Sequence, residues 1–536
     1  MRAAVCAALL AFAPFGAARA TDASAVAPGI DARWFDRGRP TAAAWEASAA
    51  LLRADRDGLE PADYAALALA RALSQASLEP VDDTRALEIG ATLGDALLRF
   101  VGDLRAGRVV PQRVHSDFAP VDHAPLDRTG WVHDAQVPGR LAGMIDAATP
   151  PIPQYRRMRE ALARYRALLD GAPDHPAWAA PLPPLRGALE PGTEWSGLPM
   201  LARRLSALGD LGPDALSRWA GTASTPGAGA YGGALADAVK SFQRRHGLQI
   251  DGIVGNATLE RLAVSPARRI RQIELALERL RWTPVAQARR MIAINVPEFV
   301  LRAYEVDADR FVLRARMKVI VGQALDRRTP LFDEAMRSIE FSPYWNVPAS
   351  IARDEILPRL RRDPGYLARE GFEFVAPDGR IDTSVNAATL AALQAGLTRI
   401  RQRPGPRNAL GDVKFVFPNA SNIYLHHTPS TGLFARERRD FSHGCIRVEH
   451  PVALARFALG DMPGWRDERI IGAMAAGHPS TVRLAEPIPV LIAYGTALTV
   501  DGELRFFDDI YGQDPVLDAA LREVSASRQR VREHPP

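Results

Sequence analysis

The chain has 536 residues, of which 47% are hydrophobic and 24% are charged, and a formal net charge of +5. This length exceeds what one hydrophobic core usually organises, so several folded units are expected. Nearly all of the positive charge is arginine, and no basic run is interleaved with aromatic residues, so the charge pattern does not support nucleic-acid binding.

Residues 1–20 have the pattern of an export signal. Arg2 supplies the positive charge, an apolar stretch follows, and Ala18-Arg19-Ala20 matches a small-x-small cleavage site. Cys6 lies before the apolar stretch, too early for a lipid-attachment cysteine. No later stretch predicts a membrane span of about 18 apolar residues. We therefore expect cleavage of this signal peptide and release into the periplasm.

Residues 28–190 are predicted to form a helical domain. Apolar residues recur there at spacings of three and four, as in Ala44, Ala47 and Leu51. The proline-rich run 181–184 marks the end of this domain.

Residues 195–265 have the pattern of two short helices joined by a turn. An amphipathic helix through Val239 and Phe242 ends at Gly247, and a second helix begins near Asn256 or Thr258. The pattern resembles the small helical peptidoglycan-binding domain, although the same apolar spacing would pack a helical hairpin in any protein. The Gly-, Ala- and Ser-rich stretch 222–233 is expected to be a flexible insertion.

The remainder of the chain is predicted to be mainly strand after one linking helix, 266–289. Residues 350–407 interrupt the strands with a helical pattern, and residues 501–536 are left as a C-terminal tail. β-Branched and aromatic residues between turn signals predict strands at Met291–Val296, Val300–Tyr304, Phe311–Val321, Arg337–Phe341, Val413–Phe417 and Ile423–His426.

Cys445 is the one cysteine that follows the signal, and it lies in the run Ser442-His443-Gly444-Cys445-Ile446-Arg447. Cysteines of exported proteins usually occur in pairs, so a single thiol needs an explanation. A lone cysteine can be only a small buried hydrophobe. The polar and glycine residues before this one instead favour a turn that presents the side chain.

His426 is the candidate base for this thiol. A free thiol is only a few per cent ionised at neutral pH, so a nucleophilic cysteine needs a nearby base or positive charge. His426 ends a predicted strand, and His443 and Arg447 add further polar groups. Strand alternation places Tyr424 on the same face as His426 and places His427 on the opposite face.

A zinc site is an alternative use of these residues. His426, His427, His443 and His450 with Cys445 are residue types that bind zinc. The chain lacks a Cys-x-x-Cys or His-Glu-x-x-His pattern, and a thiol beside a base already suffices for covalent chemistry. No metal and no cofactor are therefore predicted.

His426, fifteen intervening residues and then Ser-His-Gly-Cys-Ile-Arg resemble the signature of the L,D-transpeptidase family, which cross-links bacterial peptidoglycan through a catalytic cysteine. Two further stretches, Pro343–Pro348 and Val321-Gly322 followed by Thr329-Pro330, are similar to the large multidomain members of Gram-negative periplasms. The resemblance covers about residues 30–510 and is strongest over 290–450.

The resemblance implies an α+β multidomain fold. It consists of a helical scaffold domain (28–190), a small helical peptidoglycan-binding domain (195–265) and a mainly β catalytic domain (290–500). The helical segment at about 350–407 would be a capping insertion over the active site, and such lids exclude water from a reacting thioester.

The resemblance also implies residue roles. Cys445 would attack a stem carbonyl and His426 would act as the general base. The active-site turn contains Ser442, His443 and Gly444, and the backbone N–H groups of residues 443–445 would form the oxyanion hole. Four further residues are candidates for substrate binding: Tyr424, Arg447, Trp345 and Tyr344.

The implied reaction joins two peptidoglycan stems in a 3-3 cross-link. A tetrapeptide donor would lose its terminal D-Ala, and the amine of a diaminopimelate-type acceptor would resolve the thioester. Water in place of that amine would make the enzyme an L,D-carboxypeptidase. Attachment of a wall protein by the same cysteine, and a non-catalytic peptidoglycan-binding scaffold, are the remaining alternatives. Roles in cell-wall organisation and cell shape, partners in wall synthesis and inhibition by carbapenems are further implications.

Overall fold

A computed structural model describes residues 31–116, 118, 125–168, 175–219, 230–283, 288–307, 310–325, 327–460 and 462–533. The predicted signal peptide and most of the predicted flexible insertion lie outside these residues. Within the described ranges, no helix combines the length and the apolar character needed to cross a bilayer.

The N-terminal unit is helical, as predicted. A hairpin of β1 (Phe35–Asp36) and β2 (Arg39–Pro40) precedes its six helices, the first five of which bury a core around Trp34, Leu73 and Leu97. The helices are α1 (Ala42–Leu52), α2 (Ala66–Leu78), α3 (Asp83–Ala106), α4 (Arg128–Ala135), α5 (Leu141–Ala148) and α6 (Pro153–Ala167).

The second unit contains the predicted helical pair. The first helix of the pair ends before Gly247, whose φ of +64° suits glycine. His246 is buried and its ring stacks on Phe242 at 3.8 Å and on Phe506 at 5.4 Å, so this unit is docked on the C-terminal part of the chain. The helices are α7 (Leu198–Ala207), α8 (Pro213–Ser217), α9 (Ala234–Arg245) and α10 (Asn256–Ala263).

The predicted linking helix is α11 (Pro266–Arg281). The Ser265 side chain accepts a hydrogen bond from the Arg268 N–H and caps its start. The helix packs against α6, and its buried Arg281 hydrogen-bonds the Tyr155 hydroxyl of α6 at 3.0 Å. Apolar and polar contacts thus both hold α11 to the N-terminal unit.

The β-rich domain begins with four strands whose alternation matches the prediction. Their buried residues include Ile292, Leu301, Val319 and Ile339 of the central apolar core. The strands are β3 (Arg290–Asn295), β4 (Val300–Asp307), β5 (Arg310–Gly322) and β6 (Phe332–Phe341).

The insertion after β6 is mixed rather than purely helical, which corrects the prediction. Its four-stranded sheet was missed because the strands are short and because Phe372–Val375 is buried at every position, so it lacks alternation. In chain order the elements are β7 (Trp345–Asn346), α12 (Ala349–Ile351), a π-helical turn (Ala352–Ile356), α13 (Leu357–Arg362), α14 (Tyr366–Arg369), β8 (Phe372–Val375), β9 (Ile381–Asp382), α15 (Ala387–Gln394) and β10 (Arg399–Gln402).

The remaining strands complete a nine-stranded sheet in the order β13-β5-β14-β12-β11-β6-β15-β3-β4. An additional pairing of β4 with β5 brings the two ends of this sheet together. The added elements are β11 (Val413–Val416), β12 (Leu425–His426), β13 (Asp440–Ser442), β14 (Ile446–Val448), α16 (Pro451–Leu459), α17 (Asp467–Ala475) and β15 (Ser480–Ala493).

The segment predicted as a C-terminal tail is folded over its described residues. It contributes to the hairpin of β16 (Ala497–Val500) and β17 (Glu503–Phe506) and forms helix α18 (Gln513–Glu533). Leu517 and Leu521 of α18 are buried. The Arg528 guanidinium donates to both carboxylate oxygens of Asp103 in α3, at 2.6 and 2.9 Å. Leu517 and Leu521 are four residues apart, a spacing that places them on one face of a helix. An unfolded tail would not show this spacing, and the prediction of a tail overlooked it.

Candidate active site

The register of two neighbouring strands creates one polar face on the nine-stranded sheet. β12 and β14 run parallel, and His426 pairs with Arg447. Because alternate residues of a strand share a face, Tyr424 and Cys445 lie on the same side as this pair. The neighbouring β11 contributes Lys414, which pairs with His426 from the other side.

The turn that carries Cys445 is held by the Ser442 hydroxyl. This hydroxyl donates to the Cys445 carbonyl at 2.5 Å and accepts from the Gly444 N–H at 3.2 Å. Gly444 has a φ of +118°, and an added Cβ would lie 3.2 Å from a methyl group of Ile423, so only glycine suits this position.

These contacts correct the predicted oxyanion hole. The Gly444 N–H is already engaged by Ser442 and is not free for a substrate oxygen. The backbone N–H groups of His443 and Cys445 have no protein acceptor within the described residues. They are the two donors that the turn offers.

Cys445 is half-buried at the base of the cleft. Its sulfur lies 3.8 Å from the Asn422 carbonyl oxygen and also contacts Tyr424. Burial raises the pKa of the Cys445 thiol, whereas Tyr424 and the charges of Lys414 and Arg447 act in the opposite direction. The thiol is therefore protonated at neutral pH in the absence of substrate.

His426 is buried on the same face of the sheet as Cys445 and lines the same cleft. Its Nδ1 donates to the His427 carbonyl, which leaves Nε2 as the proton acceptor of the ring. Burial, followed by the charge of Arg447, lowers the pKa of His426 to about 3. The site thus combines a neutral thiol with a neutral imidazole.

A cleft of about 850 Å³ lies above these residues, between the nine-stranded sheet and the insertion after β6. Tyr344 and Trp345 line the wall that the insertion provides. The guanidinium of Arg401 lies 4.0 Å from the centre of the Tyr344 ring, and Trp345 packs against Phe372 at 6.1 Å. The structure thus brings the four predicted substrate-binding residues to one cleft with Cys445 and His426.

Glu355 is a cleft residue that sequence analysis missed. Its carboxylate accepts hydrogen bonds from His443 Nε2 at 2.5 Å and from Arg327 at 2.8 Å. Burial alone would raise the pKa of Glu355, but these two donors outweigh burial and lower it. His443 therefore joins the turn to the insertion. The π-helical turn that places Glu355 has no signal in the sequence.

Arg447 and Lys414 are the cations of the cleft nearest the thiol. Lys414 Nζ lies 3.3 Å from the carboxylate of Glu340 and 4.5 Å from the centre of the Tyr424 ring. Arg447 has no carboxylate partner in the described part of the chain, and its Nε is buried without an acceptor. Because burying an N–H group without an acceptor is costly, the half-buried Arg447 is a candidate for binding an anionic ligand.

The four histidines considered as zinc ligands each have a different neighbouring group. His427 lies on the opposite side of β12 from His426, with Nδ1 3.3 Å from Asp412. His443 binds Glu355, and His450 lies 3.6 Å from Glu449. Over the described ranges, no group of three or more potential ligands forms a metal site.

Comparison with known proteins places three domains along the chain. Residues 289–482 match the family model of the L,D-transpeptidase catalytic domain. Residues 28–162 match a scaffold domain, and residues 199–262 match the model described as "Putative peptidoglycan binding domain". A Haemophilus influenzae protein named "Putative L,D-transpeptidase" is 31% identical over 247 residues, which are 46% of this chain and 49% of that protein. The chain spans about half the length of this curated relative.

The fold and the site define a multidomain protein in which two helical units precede a β-sheet domain with a cysteine and a histidine in one cleft. More specifically, the chain combines a scaffold domain, a peptidoglycan-binding domain and an L,D-transpeptidase catalytic domain. The three kinds of domain expected from the resemblance, in the expected order, are thus confirmed.

Proposed function

We propose that this protein is a periplasmic L,D-transpeptidase of a Gram-negative cell wall, forming 3-3 cross-links between peptide stems through a thioester on Cys445. The observation that carries the proposal is one cleft lined by the Cys445 thiol, a neutral His426 and Arg447, which has no carboxylate partner over the described residues. The matched catalytic and peptidoglycan-binding domains support a peptidoglycan substrate.

The first half-reaction acylates the thiol. As the Cys445 sulfur bonds to the carbonyl carbon of the third stem residue, its proton passes to Nε2 of His426. The N–H groups of His443 and Cys445 donate to the oxygen that becomes negative, an effect typically worth about 3 kcal/mol per donor. The bond to D-Ala then breaks, and its amine takes the proton from His426.

The second half-reaction transfers the acyl group to an amine. The acceptor amine attacks the thioester, gives a proton to His426, and the cysteine sulfur leaves and is reprotonated. The insertion covers the cleft and would limit access of water, which favours transfer over hydrolysis. Arg447 would bind the carboxylate of the leaving D-Ala, because it is the cation beside the thiol without a partner.

Mass spectrometry of the products formed from a purified tetrapeptide stem tests this function. We expect loss of D-Ala together with a dimer whose mass equals donor plus acceptor minus D-Ala. A tripeptide without a dimer would indicate a carboxypeptidase, and an unchanged stem would contradict catalysis. A stem with a C-terminal amide should react about tenfold more slowly, because Arg447 then lacks an anionic partner.

A further inference from the structure

Two side chains outside the reacting pair hold the peptide group that precedes Cys445. The Thr329 hydroxyl donates to the Gly444 carbonyl at 2.7 Å and accepts from the Gly322 N–H at 2.9 Å. Thr329 is buried, so this hydroxyl has no competing contact with water. One side chain thus joins the end of β5 to the active-site turn.

The Gly444 carbonyl and the Cys445 N–H belong to the same planar trans peptide and point in opposite directions. A hydroxyl that fixes the carbonyl therefore also fixes the direction of the N–H, away from Thr329. This N–H is one of the two donors that the turn leaves without a protein acceptor over the described residues. Its orientation decides how well it stabilises a developing oxyanion.

Tyr511, from the folded C-terminal segment, holds Thr329 in place. Its buried hydroxyl accepts from the Thr329 N–H at 3.1 Å and donates to the Gly322 carbonyl at 2.7 Å. The Tyr511 N–H in turn donates to the Tyr494 hydroxyl at 2.8 Å, and the Tyr494 hydroxyl donates to Asp509. Tyr511 thus hydrogen-bonds to both Gly322 and Thr329, the residues at the two ends of the loop after β5.

The position of Tyr511 is itself fixed by α18. The Asp509 carboxylate accepts from the N–H groups of Gln513 and Asp514, at 2.7 and 2.9 Å, at the start of this helix. The other end of α18 is bound to the scaffold domain through Arg528 and Asp103. A rigid helix therefore supports the tyrosine that supports the turn.

We propose that Thr329 and Tyr511 are positioning residues that orient the Cys445 N–H as the oxyanion donor of the acyl-transfer reaction. The inference deepens the proposed function and rests on it. It predicts that loss of either hydroxyl slows steps in which a carbonyl oxygen becomes negative. Reactions of the thiol that build no such charge should be unaffected.

Two reagents separate these reactions. With p-nitrophenyl acetate, the Cys445 sulfur bonds to the acetyl carbon, the ester C–O bond breaks, p-nitrophenolate leaves, and the thiol proton passes to His426. Iodoacetamide alkylates the same sulfur at a saturated carbon; iodide leaves, the thiol proton passes to His426, and no oxyanion forms at the attacked carbon. Single-turnover rates with both reagents would be measured on the full chain.

We expect Thr329→Val to slow acylation about tenfold or more while alkylation stays at the parent rate. Thr329→Ser, which keeps the hydroxyl, should acylate like the parent, and Tyr511→Phe should show the same selective loss to a smaller extent. Matched controls are Thr499→Val, whose hydroxyl donates to the sulfur of Met158, and Tyr304→Phe, whose ring packs near Phe311. Both should match the parent.

Parent-like acylation in Thr329→Val would overturn the proposal, as would a parallel loss of acylation and alkylation. If Thr329→Val does not fold, Tyr511→Phe decides, because its ring still fills the core; parent-like acylation in that variant would also overturn the proposal. If these variants show the selective loss but the parent protein leaves peptide stems unchanged, the proposed function alone is contradicted.

Discussion

Replacing Cys445 by alanine should abolish acyl transfer, the largest effect expected of any single change. The substitution removes the atom that attacks the stem carbonyl, so no thioester can form and no other route is available to the site. Turnover of a tetrapeptide stem, followed by product mass, should fall to the rate without enzyme.

The fold of this variant should be intact. Cys445 is half-buried in a turn held by Ser442, and loss of one sulfur atom from such a position costs only about 1 kcal/mol. Circular dichroism and the thermal midpoint should therefore remain close to those of the parent. Stem turnover in a folded Cys445→Ala protein would contradict the covalent mechanism.

Replacing His426 by alanine should lower the acylation rate about 100-fold or more, because the thiol loses its general base. The pH dependence should also change. Since the pKa of His426 is about 3 and that of Cys445 is raised, the reactive neutral pair persists from about pH 5 to pH 8. Acylation of the parent should be nearly flat over this range. In the variant it should rise about tenfold per pH unit, because only the thiolate reacts.

His427→Ala is the matched control for His426. The two residues are adjacent, but His427 lies on the other side of the strand near Asp412. Its removal should leave both the acylation rate and the flat pH profile unchanged. If His427→Ala were the damaging change and His426→Ala the neutral one, the base would have to be reassigned.

The chemistry of the site could be predicted from sequence because its residues are close together in the chain or follow strand alternation. The Ser442–Arg447 run contains the proposed nucleophile, and the proposed base, His426, precedes it by a short stretch of chain. Alternation in β12 was enough to separate His426 from His427. The long strands β4 and β5 were predictable for the same reason.

Contacts between distant segments could not be predicted. Tyr511 lies 182 residues from Thr329, and Glu355 lies 88 residues from His443. Such pairs meet only through the sheet order and the docking of the insertion and of α18, which local periodicity does not encode. The predicted Gly444 N–H donor failed for a local reason instead, because the Ser442 hydroxyl accepts its hydrogen bond within the turn.

The most direct test of the central claim is the intact mass of the protein after incubation with a carbapenem, followed by peptide mapping. We expect the mass to rise by that of one inhibitor molecule, because the strained lactam carbonyl acylates the thiol without a leaving group. The adduct should map to Cys445 and be absent from Cys445→Ala. An unchanged mass, or an adduct at another residue, would contradict the assignment of Cys445 as the acylated nucleophile.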